Sequence, residues 1–194
     1  MYRRTFTVGL VALVAACGSR VFDSPRNLDN ACALADERPH YMRAMRRAER
    51  NWNIPVHVQM AVIHQESRFD GDIRPPFRYA LGVIPMGRQS SAIGYSQALD
   101  GTWDEYIEAT GNRGANRTDI RDATDFMGWY MVQTVEETGV RLSDTRNQYL
   151  AYHDGRSGYN RGTWRSKGWL IRIAGEVDAR ADMYGAQLRS CGKI

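Results

Sequence analysis

Seven segments of the chain space their apolar residues three or four positions apart, a period that gathers them on one face of an α-helix. They cover residues 28–35, 41–52, 56–66, 103–110, 123–137, 144–152 and 170–188. Helix punctuation supports several of them: Asn53 and Pro55 precede the third, and Gly111 and Gly139 follow the fourth and fifth. Alternating β-branched runs bounded by turns are missing, so the expected fold is all-α with little or no sheet. A chain of 194 residues can bury one substantial core, and a single helical domain is expected over 28–194. Residues 70–94, with Pro75, Pro76, Pro85 and four glycines, read as one long irregular segment. A loop of that length in a compact domain is usually functional or mobile.

A different kind of sequence precedes these segments. Arg3 and Arg4 are followed by an apolar run over 6–16, too short to span a bilayer but suited to the core of an export signal. Residues 1–16 are therefore expected to be a signal peptide. The run ends in LVAAC, and small residues directly before Cys17 resemble the lipobox of bacterial lipoproteins, in which that cysteine becomes the acylated first residue. A cleavable signal with an incidental cysteine is the alternative. On the lipobox reading, residues 17–27 are a lipidated tether that anchors the domain to a membrane, each buried methylene adding about 0.8 kcal/mol. The resemblance also implies that a residue other than Asp after the cysteine, here Gly18, favours the periplasmic face of the outer membrane. Export leaves Cys32 and Cys191 as a pair in an oxidising compartment, so a disulfide is expected, with two buried thiols as the alternative. The charge of +4 comes from 26 basic and 22 acidic residues, the basic ones all Arg except Lys167 and Lys193. That balance fits ordinary solubility or mild attraction to an anionic polymer or membrane, and no Arg-aromatic stripe points to nucleic acid.

Candidate chemistry concentrates in AVIHQES, residues 61–67. Val58, Ala61, Val62 and Gln65 share a helix face, and Glu66 follows Val62 by one turn. Glu66 is thus expected to point inward at a helix C-terminus, where burial and the helix dipole both favour the protonated carboxyl. Together they would raise its pKa from about 4.3 toward the value near 6 that suits a general acid. The competing reading turns Glu66 outward to pair with Arg68 or another arginine. Two further stretches bear on the choice: AIGYSQAL over 92–99, with small residues around Gln97, and YLAYHDG over 149–155, where a helix ends in an aromatic hydroxyl and a turn.

In this order, Glu66-Ser67, Gly94-Tyr95-Ser96-Gln97 and Ala151-Tyr152-His153-Asp154-Gly155 resemble the soluble lytic transglycosylase (SLT) domain family, over about residues 51–159. The resemblance implies an all-α, lysozyme-like domain with a substrate cleft, no cofactor, and peptidoglycan strands as its partner. It implies Glu66 as sole catalytic acid and base, with Gln97 lining the sugar cleft beside Gly94 and Tyr95. Tyr152 would place its hydroxyl close to the Glu, and Ser67 would orient an N-acetyl group. His153 could touch substrate or position Tyr152, and Tyr159 could line the cleft or cap the core. The chain departs from the family in having Tyr95-Ser96 where Leu-Met is common, His153 where Asn is usual, and a longer segment after Glu66. An ordinary glycosidase uses two carboxylates. The resemblance implies that one suffices here: Glu66 protonates the glycosidic oxygen between N-acetylmuramic acid and N-acetylglucosamine, then takes the proton of the muramic C6 hydroxyl as it closes onto C1.

Three rival readings compete. A hydrolytic muramidase of the goose-type lysozyme shape would need a second carboxylate, for which Asp154 is the best candidate. Gly94 to Ala98 nearly spells a nucleophile elbow but lacks the strand before it and the final Gly. A lipid-anchored wall-binding protein would hold glycan without cutting it. His57 and His64, seven apart without a third ligand, make no metal site. Trp103, Trp129, Trp164 and Trp169 are expected in the core, Trp164 being the one nearest a groove.

Overall fold

The computed structural model describes residues 24–194; the signal peptide expected over 1–16 and the acylated Cys17 lie outside the described residues. The order of elements is α1 (Ala31–Glu37), α2 (Pro39–Trp52), α3 (Val56–Ser67), β1 (Phe77–Ala80), β2 (Ile84–Arg88), α4 (Asp100–Thr110), α5 (Ile120–Thr138), α6 (Thr145–Asp154), α7 (Arg156–Arg161), a 3-10 turn (Thr163–Ser166) and α8 (Gly168–Ser190). The fold is all-α apart from one small hairpin, as the periodicity predicts. Local chemistry sets most boundaries. The side chains of Asn30, Asp119 and Asp144 accept hydrogen bonds from the first turns of α1, α5 and α6, and Asn53, Gly111 and Gly139 take the left-handed conformation that closes α2, α4 and α5. The cap at Asn30 is why the first helix starts at Ala31 and not at residue 28.

α3 is the central helix. Val58, Met60, Ala61, Val62 and Ile63 are all fully buried, so it is apolar nearly all round and packs between α2 and α8. Gln59 is buried with them because its amide donates to the carbonyls of Met45 and Ile54, both at 2.9 Å, and so fastens the α2–α3 corner. α2 also packs on α5, where Gly128 lets Trp52 approach so closely that an added Cβ would lie 2.4 Å from its ring. A second cluster, Trp103, Tyr106, Phe126, Trp129 and Tyr130, joins α4 to α5, and both Trp52 and Tyr152 touch the two clusters. Asp125 pins the seam by accepting from the Trp52 indole at 2.9 Å and the Tyr106 hydroxyl at 2.8 Å. Cys32 in α1 and Cys191 after α8 form a disulfide, their Cα atoms 6.4 Å apart.

Two stretches differ from expectation. α7, six residues between Gly155 and Gly162, is too short to show a period. It forms because Arg156 lies over the Tyr130 ring at 4.8 Å and pairs with Glu137 at 2.6 Å, contacts that only the folded chain supplies. Residues 70–94 are not wholly irregular: β1 and β2 form an antiparallel hairpin within them. Its turn places Leu81 at φ 51° and Gly82 at φ 74°, with Val83 N–H donating to the Ala80 carbonyl at 3.2 Å. This is a tight turn whose first central position suits Gly or Asn, and a leucine there costs about 1–2 kcal/mol.

Candidate active site

Three segments converge at the end of α3. Glu66 is its penultimate residue, and the chain then turns sharply because Arg68 and Phe69 both take positive φ, 51° and 62°. Phe69 is thereby driven into the core, stacked on Tyr41 with ring centroids 5.8 Å apart. The loop 94–97 is fastened to this corner by the Ser67 hydroxyl, which lies 3.0 Å from the Tyr95 carbonyl and 3.1 Å from that of Ile63. α6 supplies the third segment, with Tyr149 and Tyr152 one turn apart on the face toward Glu66.

The Glu66 carboxyl is enclosed by this arrangement, although the residue as a whole keeps partial solvent access. Its Oε1 is sealed from solvent and has no hydrogen-bond partner. Burial pushes its pKa up to about 7, and the Tyr149 hydroxyl, close enough to act as a donor to the carboxyl, draws it back slightly. No neighbouring charge contributes to that shift. Burial is the main cause of the shift, in the direction expected at this helix end. Burial and the nearby Glu66 charge in turn hold both Tyr149 and Tyr152 above the usual phenol range, so both remain protonated donors. Tyr149, which the sequence reading passed over, thus stands beside Glu66 together with Tyr152. The Tyr152 hydroxyl donates to the Ser96 carbonyl at 2.6 Å, and its ring packs edge-on against Tyr130 at 5.1 Å. The signal was present, because Tyr149 and Tyr152 lie three positions apart and so share a helix face.

The other expected site residues fall into two groups. Gly94 and Gln97 build the loop. Gly94 has φ 78°, and a Cβ on it would lie 2.2 Å from the Arg117 carbonyl oxygen. Gln97 sits at φ 48°, with its amide donating to the carbonyls of Gly94 at 2.9 Å and Ile73 at 3.1 Å. An open cavity of about 270 Å³ is bordered by Gln97, Leu99, Tyr130, Tyr152, His153 and Asp154. Tyr152 borders that opening and is near enough to Glu66 to feel its charge, and His153 is exposed on the rim beside Trp169, ring centroids 5.1 Å apart. Trp169, expected in the core, is 46% exposed. The second group faces inward. Ser67 is 2% exposed, and its hydroxyl is taken up by the Ile63 and Tyr95 carbonyls. Tyr95 is buried, its hydroxyl 3.0 Å from that of Tyr41. Tyr159 donates to Asn147 Oδ1 at 2.9 Å and stacks on Trp164. It braces α6 against the 3-10 turn and does not line this opening.

The rival chemistries fare differently. The Asp154 carboxylate is 3% exposed, ion-paired to Lys167 and bonded to the Thr163 hydroxyl. Burial alone would raise its pKa, but these partners outweigh it and hold the carboxyl below the usual range. Ser96 is fully buried and its hydroxyl has no hydrogen-bond partner, so no base activates it as a nucleophile. A larger cavity, about 630 Å³, lies away from Glu66 between α2 and residues 116–121. Its only carboxylate, Asp119, is engaged by Arg121 at 2.7 Å, so no unpaired acid lines it.

The chain matches the family model described as "Transglycosylase SLT domain" over residues 5–191. It belongs to that family. The match extends well beyond the three motifs, reaching through α8 to Cys191. No curated protein matches the chain. Within an SLT domain the geometry at Gly94 has a measurable consequence. Gly94→Ala meets both a left-handed backbone and a backbone oxygen that cannot swing away. It is expected to cost about 2 to 4 kcal/mol in urea unfolding, and to lower activity more than the loss of folded protein accounts for, because residues 95–97 hang on this turn.

Proposed function

We propose that this SLT domain cleaves peptidoglycan without water, with Glu66 acting first as acid and then as base. The observation that carries the reading is a single enclosed carboxyl, poised near neutrality, with no second carboxylate acting on it. In its protonated form Glu66 donates to the oxygen bridging C1 of N-acetylmuramic acid and C4 of N-acetylglucosamine. The C1–O bond breaks, and the substrate's own acetamido group stabilises the positive centre at C1. Glu66, now a carboxylate, accepts the proton of the muramic C6 hydroxyl as that oxygen bonds to C1. The products are a free C4 hydroxyl and a 1,6-anhydro end, and Glu66 is again protonated.

The surroundings serve both halves of this cycle. Enclosure keeps the proton available at the start, while the Tyr149 hydroxyl lowers the energy of the carboxylate formed midway. Hydrolysis by an inverting or retaining pair would need a second free carboxylate, and the Lys167 and Thr163 contacts withdraw Asp154 from that role. Gln97, Tyr152 and His153 would contact the sugar at the opening, with Gly94 shaping the loop. Digestion of purified sacculi tests the reading: mass spectrometry should find muramic ends lighter by one water than reducing ends, and reducing ends alone would overturn it. A second test is the pH profile. Because Glu66 must begin protonated, kcat/KM should fall on the alkaline side with an apparent pKa of about 7. An alkaline limb displaced by two or more pH units would separate Glu66 from the rate-limiting proton.

We also propose that the protein is exported and acylated at Cys17, and sits at the periplasmic face of the outer membrane. The Cys32–Cys191 disulfide supports an oxidising compartment. Incorporation of a labelled fatty acid, abolished by Cys17→Ala, is the expected result.

A further inference from the structure

The β1–β2 hairpin carries apolar side chains with no packed layer beneath them. Phe77, Tyr79, Ile84 and Met86 are each about half exposed, and Leu81 and Val83 at the turn are 91% and 76% exposed. Alternate residues of a strand point to opposite faces, so a hairpin resting on a core or on one partner surface needs only one apolar face. Here every residue of β2 is exposed, and apolar groups occupy both faces and the tip. A surrounding medium would cover them where a single protein surface would not. The turn reinforces the point, because it holds a leucine in a conformation that leucine disfavours and gives it nothing to pack on.

Charge and position specify the medium. No acidic residue occurs between Ile73 and Leu99, while Arg74, Arg78 and Arg88 flank the apolar tip. Arg88 lies over the Phe77 ring at 4.4 Å and donates to the Pro75 carbonyl at 2.7 Å. None of the three forms an ion pair among the described residues. An apolar tip behind a collar of guanidinium groups complements acyl chains behind anionic headgroups. The described chain enters the domain at Leu28 and Asp29, where Asp29 is near enough to His64 and Arg68 to feel their charge. Those two residues end α3, from which the chain runs on toward the hairpin. The entry of the described chain at Asp29 and the root of the hairpin thus lie toward the same end of α3. Cys17 precedes Ser24 by seven residues, a reach of about 25 Å when extended.

We propose that the β1–β2 hairpin is a membrane-contacting wedge, its tip from Leu81 to Met86 entering an anionic phospholipid surface while Arg74, Arg78 and Arg88 bind headgroup phosphates. The contact is peripheral, since no helix among the described residues is long and apolar enough to cross a membrane. It also bears on the candidate site, because the carbonyl of Ile73, at the root of the hairpin, accepts from Gly94 N–H and from the Gln97 amide, both at 3.1 Å. A hairpin held in the surface fixes how that loop, and the opening beside it, face the wall.

The test uses the full chain carrying Cys17→Ala, so that no acyl chain contributes and the apolar run over 6–16 is common to every sample. Flotation with vesicles containing phosphatidylglycerol is compared with flotation with pure phosphatidylcholine. The Leu81→Asp/Val83→Asp variant is expected to lose at least tenfold in partitioning to the anionic vesicles. Arg74→Ala/Arg78→Ala should lose preference for anionic over zwitterionic vesicles. A Leu81→Trp indole should be quenched by acyl-brominated lipid, which reports the position of the tip itself. Cleavage of soluble glycan fragments and circular dichroism should be unchanged, so a failure of the wedge is distinguishable from a failure of catalysis. Unaltered partitioning of the Asp variant, absence of quenching, or loss of fragment cleavage in the Asp variant would each overturn the proposal, the last by assigning the hairpin to the glycan strand.

Discussion

Glu66→Gln is expected to lower peptidoglycan cleavage by about 10³- to 10⁴-fold, the scale on which a positioned acid and base act, with glycan binding retained. Gln matches Glu in shape but cannot give up a proton or take one, so both halves of the cycle fail together. The same substitution should change stability in a way that depends on pH. In the folded protein burial raises the Glu66 pKa from 4.5 to about 7. Below about pH 4.5 the carboxyl is protonated in both folded and unfolded chains and contributes no difference. As pH rises from there to about 7 the unfolded chain releases its proton and the folded chain does not, so stability falls; above about 7 the loss is complete. Its size is about 3 kcal/mol by proton linkage. Glu66→Gln removes this loss, so the variant should gain on the wild type by that amount between pH 4 and pH 8 in urea unfolding. Undiminished cleavage would mean that Glu66 is not the acid, and a wild-type-minus-variant difference flat in pH would mean that it is not enclosed.

Removal of the Cys32–Cys191 disulfide is the second large effect. The bridge spans 159 residues and so constrains nearly the whole unfolded chain. The loop-entropy model places its contribution at about 3 to 5 kcal/mol, with long loops toward the upper end. In the folded chain the bridge ties α1 to the end of α8, where Gln187 already receives the Ala31 N–H at 2.7 Å and donates to the Asp29 carbonyl at 3.0 Å. Folded geometry should therefore survive without the bond, and the loss should appear in the unfolded state. Cys32→Ala/Cys191→Ala should lower Tm by about 10 °C or more for a domain of this size, and reduction of the wild type should give the same shift. Unchanged kcat at 25 °C in the variant would confirm that the bond acts on stability and not on the site. A shift below about 2 °C would show that the unfolded chain is already compact enough to make the closure redundant.

The aromatic hydroxyls around Glu66 separate the legible from the illegible in one place. Glu66 itself could be read as inward because it follows Val62 by one helical turn, and a helix keeps that relation wherever it packs. That Tyr149 joins Tyr152 beside the carboxyl depends on the angle at which α6 crosses the end of α3, and no local period records an angle. Ser67 and Tyr95 were assigned to the sugar on motif position. Their burial follows from the double left-handed turn at Arg68 and Phe69, which folds the 94–97 loop back onto α3.

The hairpin and α7 failed to show for a related reason. Both have weak intrinsic propensity, and each holds its form through partners distant in the chain or, for the hairpin, through only two strands of pairing. By itself the sequence determined the helical class, most helix boundaries, the three motifs of an SLT domain and the single acidic residue on which they centre, because caps and periods act over a few residues. Only the tertiary structure decided how deeply Glu66 is enclosed, which hydroxyls surround it, that Asp154 is ion-paired to Lys167, and that an apolar hairpin stands uncovered. Those outcomes are set by packing and by desolvation, which depend on all the atoms around a group and not on its neighbours along the chain.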